Sequence, residues 1–406
     1  MRRVVITGVG AISALGDDWN TVSTALKAGK NCVRRLTDFE GIEGLNTRLG
    51  APVSHFETPA HYPRKALRSM GRGAIMAVRA SELALTQAGL LDSELLGSGR
   101  AGVSYGSCIG APADVPALAR VLTDRTTVDI NASTYVRTMT HTAAVNIGLF
   151  FSMTGRIIPT ASACTSGSQG LGYAYEAIRY GLQDVMVAGG SEEFSVTQVA
   201  VFDTLFATSI RNDQPSLTPR PFDRDRDGLV IGEGACTLIL ESLEHAEARG
   251  ANILGEIVGY GTNSDGTHIT EPSAATMAQA MRLALQDAGL DPTQIAYVNA
   301  HGTATAKGDV AESQATAAVL GRVPISSLKS YLGHTLGACG ALEAWMSMEM
   351  LREGWFAPTL NLDNIDPACG NLDYLTGSGR AIQGEYVMSN NFAFGGINTS
   401  LIIKCR

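Results

Sequence analysis

Apolar residues recur at helical spacing in two nearly identical segments of the chain, residues 83–90 and 283–290 (LALTQAGL and LALQDAGL). Before the end of the second copy, Met277, Met281 and Leu285 form one apolar stripe, which predicts an amphipathic helix. Each copy contains a glycine where the helix should stop, and glycine favours the left-handed cap at a helix C-terminus. Such a repeat indicates that the chain carries two copies of one structural unit.

The segments after each copy have the same order of elements. Short apolar runs at residues 101–105 and 295–298 predict strands, and strand–turn–helix patterns follow at residues 157–180 and 323–351. Strands that alternate with helices are typical of an α/β fold. Two copies of one βα architecture are the simplest account of this order.

The duplication predicts an N-terminal half at residues 1–250 and a C-terminal half at residues 251–406, with the boundary near residues 245–258. The first half is longer by about 90 residues. We place much of this excess between residues 108 and 157, where it can form a cap over an active site.

Composition and charge limit the class of protein. The chain has 406 residues, of which 45% are hydrophobic and 17% are charged, which suits a large globular protein of about two domains. It contains no run of about 18 apolar residues, so membrane insertion is not expected. The apolar N-terminus is short and broken by glycines, which favours a strand over a signal peptide and predicts a cytoplasmic location. The net charge of -8 lacks the basic bias of a nucleic-acid-binding protein.

The seven cysteines lie far apart, without the paired spacing of a disulfide framework or a structural metal site. Cys164 is distinctive, because it stands where a predicted strand runs through small residues into a predicted helix. Unpaired N–H groups and the helix dipole favour a negative charge at such a position. Cys164 is therefore expected to be biased towards the thiolate and is the candidate nucleophile.

Ligands bind at the carboxyl ends of strands in open α/β folds, so partners of the thiol are expected in strand-end loops. His301 and His334 lie in such loops and each stands next to a glycine, although either can be an ordinary structural histidine. Lys329 lies in the second loop, and Glu312, on a helix that we expect to start near Asp309, is expected to pair with it.

The last predicted loop contains Phe392, Phe394, Gly395 and Gly396. Either phenylalanine can belong to the core. The two glycines describe a flexible loop that can present a backbone N–H group or move an aromatic gate.

Taken together, these motifs resemble the elongating β-ketoacyl-acyl carrier protein synthases, classes I and II. The resemblance rests on the Ala-Cys-Thr-Ser-Gly, His-Gly-Thr and Lys-Ser-x-x-Gly-His motifs and on the loop from Phe392 to Asn398, and it spans nearly the whole chain. It implies a thiolase-like fold, with two duplicated βαβαβαβ halves in a five-layered αβαβα arrangement. It also implies a decarboxylative Claisen condensation of a Cys-bound acyl chain with malonyl-acyl carrier protein.

The resemblance assigns a role to each candidate residue. Cys164 would carry the acyl chain, His301 and His334 would stabilise the enolate, Lys329 and Glu312 would organise the site, and Phe394 would supply an oxyanion-hole N–H and the gate. No cofactor is implied, because phosphopantetheine arrives on the acyl carrier protein. The residues implied to bind substrate are Thr303, Thr305, Phe202, Ile109 and Thr270, and those implied to dock the carrier protein are Lys65 and Arg68. The implied assembly is a homodimer, or a heterodimer with a chain-length-factor-like homologue.

Other interpretations fit the sequence less well. A thiolase would use a second cysteine near the C-terminus, and the loop from Phe392 to Asn398 contains none. A silent chain-length factor would lack the nucleophile. The glycine pair Gly8 and Gly10 is a weak dinucleotide-binding motif, because the third glycine is missing.

The chain also departs from the family pattern. Phe206 stands where class II relatives often carry an arginine that contacts the carrier protein, and Ala306, Ala393 and Ile397 replace a proline, a glycine and a threonine. These changes suggest a specialised branch such as aryl polyene synthesis.

Overall fold

The structure is a computed structural model that describes residues 1–405. The strands are β1 Val4–Ser13, β2 Arg34–Arg35, β3 Leu49–Gly50, β4 Ala101–Gly106, β5 Ile157–Thr160, β6 Val185–Glu192, β7 Gly234–Ser242, β8 Gly255–Ser264, β9 Ile295–Asn299, β10 Pro324–Ser326, β11 Trp355–Phe356, β12 Asp373–Tyr374, β13 Arg380–Ala381, β14 Tyr386–Ala393 and β15 Ile397–Lys404. The helices are α1 Trp19–Lys27, α2 Arg64–Leu67, α3 Arg72–Ala88, α4 Val115–Thr123, α5 Ala132–Thr138, α6 Thr142–Phe150, α7 Ser166–Arg179, α8 Val196–Thr204, α9 Leu243–Ala248, α10 Ala274–Ala288, α11 Ala306–Leu320, α12 Lys329–Leu332 and α13 Cys339–Glu353. Within this part of the chain, no helix combines the length and the apolar character that a membrane crossing requires.

Eleven strands in the described residues form one mixed sheet, in the order β12-β10-β9-β14-β15-β8-β1-β7-β6-β4-β5. The two halves of the chain meet in the middle, where β1 pairs antiparallel with β8. On each side of this junction, parallel neighbours lie at the far end: β6, β4 and β5 in the first half, and β14, β9, β10 and β12 in the second. The carboxyl ends of the parallel strands therefore carry equivalent loops in both halves.

Helices cover the sheet in layers. Helices α7 and α13 pack against each other and against strands of both halves, so they form the central layer. Helix α3 packs on β1 and β7, while α10 packs on β8 and β15 and against α11. The central helices thus lie between the strands of the two halves, which belong to one continuous sheet, and α3 and α10 cover its other face. Most residues of α7 and nearly all of α13 are buried, which is expected of helices enclosed on several sides.

Pairs of glycines fix the contact between strand and helix in both halves. A Cβ atom on Gly10 of β1 would lie 2.1 Å from the carbonyl oxygen of Ala80 in α3, and one on Gly261 of β8 would lie 2.1 Å from that of Ala280 in α10. Only glycine permits this approach, so Gly8 and Gly10 serve helix packing. The predicted helix caps are also confirmed, since Gly89 and Gly289 have left-handed φ values of 69° and 67°.

The long segment between residues 108 and 157 folds into the short helices α4, α5 and α6. Helix α6 packs against α3 and β4, and none of the segment's residues lines the active-site cavity described below. Several of its apolar side chains are exposed instead: Leu122, Val128, Tyr135 and Leu149. Helix α6 also packs against β5, which is one of the two edge strands of the main sheet.

Candidate active site

Cys164 lies in a short 3₁₀ turn, Ala163–Thr165, between β5 and α7. Ala163 has a φ of 51°, in the left-handed region that costs a residue with a Cβ atom roughly 1 kcal/mol. Hydroxyl groups hold this turn: Thr165 donates to the carbonyl of Ser162 at 2.8 Å, and Ser166 donates to that of Ala163 at 2.7 Å. The Ser and Thr residues around the nucleophile therefore keep a strained turn in place.

The thiol of Cys164 is almost completely buried, and this changes its ionisation. Burial raises the pKa of Cys164 to about 11, although the charge of Lys329 and the backbone N–H groups of Phe394 and Cys164 itself act in the opposite direction. The expected bias towards the thiolate is therefore wrong for the resting site. The position at the helix start is as predicted, but desolvation outweighs the local dipole.

His334 follows α12 and points its ring at the thiol. Its Nε2 lies 2.9 Å from Sγ of Cys164, and its Nδ1 accepts the backbone N–H of Leu336 at 3.3 Å. Because Nδ1 is an acceptor, the proton of the neutral ring is on Nε2, directed at the sulfur. Burial and the charge of Lys329 hold the pKa of His334 well below its usual value, so the ring stays neutral.

His301 comes directly after β9 and lies beside His334, with ring centroids 5.1 Å apart. Burial, the charge of Lys329 and the neighbouring His334 also hold its pKa well below the usual value. Each ligand atom of Cys164, His301 and His334 lies within 4.8 Å of the others. Cysteine and histidine can ligate zinc, but the Nε2–H tautomer of His334 favours donation to a substrate oxygen over metal ligation.

Lys329 pairs with Glu343 of α13, and the predicted pairing with Glu312 is wrong. The Nζ atom of Lys329 donates to Oε1 of Glu343, and both side chains are nearly completely buried. Burial alone would lower the pKa of Lys329, but the charge of Glu343 raises it, and the net pKa lies above the ordinary lysine value. Lys329 therefore brings a fixed positive charge into the site.

Glu312 has a different task. Its two carboxylate oxygens accept the backbone N–H groups of His301 and Gly302, each at 2.7 Å. Burial raises its pKa to about 8, although the same two N–H groups favour the charged form. Glu312 thus holds the loop that carries His301. Its helix, α11, begins at Ala306, earlier than the expected start near Asp309.

The tight turn between β14 and β15 brings Phe394 to the nucleophile. The backbone N–H groups of Phe394 and Cys164 both lower the pKa of the Cys164 thiol. The ring of Phe394 packs on that of Phe202, with centroids 5.4 Å apart, and two glycines with left-handed φ values follow it. Phe392 is buried, and its ring centroid lies 6.3 Å from that of His301.

A cavity of about 460 Å³ joins these groups, and residues of both halves line it. The predicted residues that it brings together are Cys164, His301, His334, Glu312, Thr303, Thr305, Thr270, Phe202, Phe392 and Phe394. Thr303 and Thr305 share a hydrogen bond of 3.0 Å between their hydroxyl oxygens. Leu205, Phe206 and Ile269 are also exposed at this cavity, and they form its apolar mouth.

Four predicted residues lie outside the cavity lining: Lys329, Ile109, Lys65 and Arg68. Ile109 is outside the cavity lining and follows β4, where its N–H donates to the buried carboxylate of Glu192 at 3.3 Å. Lys65 lies on α2 and Arg68 directly after it, and both are exposed.

Sequence reasoning missed Glu343. The available signal was a lone acidic residue in an otherwise apolar helical pattern, residues 341–346 (ALEAWM).

Residues 1–246 match the family model of the β-ketoacyl synthase N-terminal domain, and residues 254–363 match that of the C-terminal domain. The 3-oxoacyl-(acyl-carrier-protein) synthase 2 of Vibrio cholerae is 38% identical over 99% of both chains. A crystal structure of a β-ketoacyl synthase from Burkholderia phymatum superimposes with a TM-score of 0.99, at 61% identity and full coverage of both chains. The ishigamide ketosynthase/chain length factor gives a TM-score of 0.90 at 33% identity, over 100% of this chain and 99% of that one.

Proposed function

The chain belongs to the β-ketoacyl synthase family and has its thiolase-like fold, and we propose that it condenses a Cys164-bound acyl chain with malonyl-acyl carrier protein. The observation that carries this proposal is one cavity in which a thiol faces two neutral histidines and a buried lysine lies behind them. Acyl-enzyme, malonyl-carrier protein and one proton give 3-oxoacyl-carrier protein, CO2 and the free thiol. The reaction class is acyl transfer with formation of a carbon–carbon bond.

In the first half-reaction, Cys164 attacks the thioester of the incoming acyl chain. The thiol proton passes to the departing pantetheine sulfur, so the thiolate forms only as the substrate is attacked. The charge on the tetrahedral oxygen falls between the N–H groups of Cys164 and Phe394. Removal of one such donor from other enzymes costs about 3–4 kcal/mol.

In the second half-reaction, the bond between the malonyl carboxylate and its methylene carbon breaks. CO2 leaves, and the electron pair becomes an enolate with its charge on the thioester oxygen. His334 donates through Nε2–H, and His301 stands beside it to do the same, so neither ring needs to give up a proton. The enolate carbon then bonds to the acyl carbonyl carbon and expels the sulfur of Cys164.

The phosphopantetheine arm enters from the mouth of the cavity. Thr303, Thr305 and Thr270 line this path, and we assign them to the arm, which the carrier protein supplies. The packed rings of Phe202 and Phe394 separate this path from the part of the cavity that we assign to the acyl chain. Ile109 lies at the end of β4, where we propose that it shapes the far end of the acyl pocket.

A second copy of the chain is the proposed partner at β5. This edge strand leaves backbone groups unpaired, and the exposed Ile157, together with Leu149 of α6, gives it an apolar surrounding. A heterodimer with a chain-length-factor-like homologue would use the same edge.

The division into residues 1–250 and 251–406 remains a proposal, supported by the equivalent glycine contacts of β1 and β8.

The carrier protein is proposed to dock at Lys65 and Arg68 and at the mouth of the cavity. Phe206 is 87% exposed there and has a φ of 53°, directly after the end of α8. A bulky residue in this conformation costs stability and gains nothing from burial. Such strain is expected where the side chain contacts a partner.

Replacing Phe206 with glycine should weaken docking of the carrier protein without lowering the stability of the fold. Glycine adopts the left-handed conformation freely, so the thermal midpoint should stay equal or rise. The value of kcat/KM with malonyl-carrier protein should fall at least about fivefold, because an interface side chain is lost. With malonyl-pantetheine it should change little. Tyr180→Ala, an exposed aromatic at the far end of α7, is the matched control. A lower thermal midpoint, or equal losses with both substrates, would argue against docking at Phe206.

The proposed function is tested by mass spectrometry of Cys164 after incubation with acyl-carrier proteins that bear saturated, polyenoyl or aryl-polyenoyl chains. At least one chain should load on Cys164, and addition of malonyl-carrier protein should then release a product two carbons longer. Preferential loading of aryl-polyenoyl chains would support the specialised branch. If no acyl chain loads on Cys164, either in the protein alone or in the presence of a chain-length factor, the proposal is wrong.

A further inference from the structure

Asn391, on β14, is fully buried behind the catalytic histidines. Its amide nitrogen donates to Oε2 of Glu343 at 2.7 Å, while Oε1 of the same carboxylate accepts from Lys329. The amide nitrogen also lies 3.5 Å from Nδ1 of His301. Asn391 thus connects the buried ion pair to one of the two histidines.

The orientation of this amide follows from its neighbours. A carboxylate only accepts hydrogen bonds, so the NH2 group of Asn391 must face Glu343. The amide oxygen of Asn391 is buried and has no hydrogen-bond partner. The contribution of the side chain is therefore made by its two N–H donors. Glu343 takes one, and the amide nitrogen also lies 3.7 Å from Sγ of Cys339, a weaker acceptor than Nδ1 of His301.

This arrangement decides where the proton of His301 resides. A neutral imidazole carries one N–H, and a ring whose Nδ1 accepts a hydrogen bond carries it on Nε2. In His334 the backbone N–H of Leu336 has the same effect. His301 follows its strand in a loop whose N–H groups are held by Glu312, so a side chain must supply the donor for its ring.

We propose that Asn391 is a positioning residue that transmits the orientation of the Lys329–Glu343 pair to His301 and holds it as the Nε2–H tautomer. The inference rests on the proposed function, because it matters only if His301 donates to a thioester oxygen. Acylation of Cys164 relies on His334 and the two backbone N–H groups. Decarboxylation of the malonyl group relies on both histidines. Loss of Asn391 should therefore impair the second half-reaction selectively.

The test compares Asn391→Leu and Asn391→Asp in single-turnover assays of the full-length protein. Acylation is followed by mass spectrometry of Cys164, and decarboxylation by CO2 release from malonyl-carrier protein on acylated enzyme. Asn391→Leu should reduce CO2 release by about 10–100-fold, the usual effect of removing a group that orients a histidine, and change acylation by less than about threefold. Asn391→Asp keeps the shape but offers an acceptor to Nδ1, which reverses the tautomer, so its loss should be at least as large.

Asn390→Leu is the matched control. Asn390 is the next residue of β14, is equally buried, and neither its amide nitrogen nor its amide oxygen has a hydrogen-bond partner. Its side chain points to the opposite face of the strand, so both half-reactions should proceed at the wild-type rate. Retention of CO2 release by Asn391→Asp, or equal losses in both half-reactions, would overturn the role of Asn391. Failure of the proposed function itself would instead appear in the wild-type protein, as absence of both loading and CO2 release.

Discussion

Replacing Cys164 with alanine is expected to reduce formation of the 3-oxoacyl product by at least about 10⁴-fold, the scale seen when a covalent nucleophile is removed. The variant has no atom on which the acyl chain can be held, so the enolate has no acyl-enzyme to attack. Release of CO2 from malonyl-carrier protein should remain measurable, because both histidines are still present. Product formation is measured by mass spectrometry of the carrier protein.

The control for this variant is Cys236→Ala. Cys236 is fully buried in β7 and lies outside the lining of the cavity, so the chemical change and the loss of core volume are the same. Its activity should stay within about threefold of the wild type, since core changes away from the site act on stability. Condensation by Cys164→Ala at the wild-type rate would refute Cys164 as the nucleophile.

The duplication of the fold was predictable because its signals are short-range. An apolar stripe at helical spacing and a glycine at the end of the helix depend on neighbouring residues only, and Gly89 and Gly289 take the left-handed conformation that such caps use. The pairs Gly8–Gly10 and Gly259–Gly261 repeat the same spacing in the strands β1 and β8, which is a second sign of the duplication. Their role depends on α3 and α10, which pack against them only in the folded chain.

The ionisation of Cys164 was not predictable from its neighbours. The start of a helix favours the thiolate locally, through its unpaired N–H groups and its dipole. The pKa rises because the tertiary structure removes water from the thiol on every side. Burial of this kind depends on the contact of the turn Ala163–Thr165 with α13 and β14, which lie far away in sequence.

The partner of Lys329 was missed for a similar reason. Glu312 and Glu343 are both acidic residues on helices of the second half, and the sequence does not say which one turns towards the lysine. The carboxylate of Glu312 is occupied by the N–H groups of residues 301 and 302. Glu343 is available because α13 passes directly behind the site in the central layer. A choice between two carboxylates thus depends on backbone hydrogen bonds that no residue pattern encodes.

Breaking the Lys329–Glu343 pair should have the largest effect on stability. Lys329→Met leaves a buried carboxylate without its counter-charge, which typically costs about 3–5 kcal/mol. With an unfolding entropy of about 2.1 cal/mol/K per residue, this lowers the thermal midpoint of the chain by about 4–6 °C. The measurement is the thermal midpoint by calorimetry at pH 8. Lys307→Met is the control, because the pair of Lys307 with Glu271 is exposed and screened by solvent and should contribute little to stability.

The pH dependence of the stability of Lys329→Met identifies the cause of its lost stability. Burial already holds the pKa of Glu343 above its ordinary value of 4.5 when Lys329 is present, and loss of the Lys329 charge should raise that pKa further, so the folded variant binds the proton more tightly than the folded wild type. Stability relative to the wild type must then fall as pH rises through the wild-type pKa of Glu343 towards the higher pKa of the variant, by up to about 1.4 kcal/mol per pH unit. The deficit should be small at pH 5 and large at pH 8, and adding Glu343→Gln should remove its pH dependence. A deficit of equal size at both pH values would mean that Lys329 stabilises the protein by packing alone, without pairing its charge with Glu343.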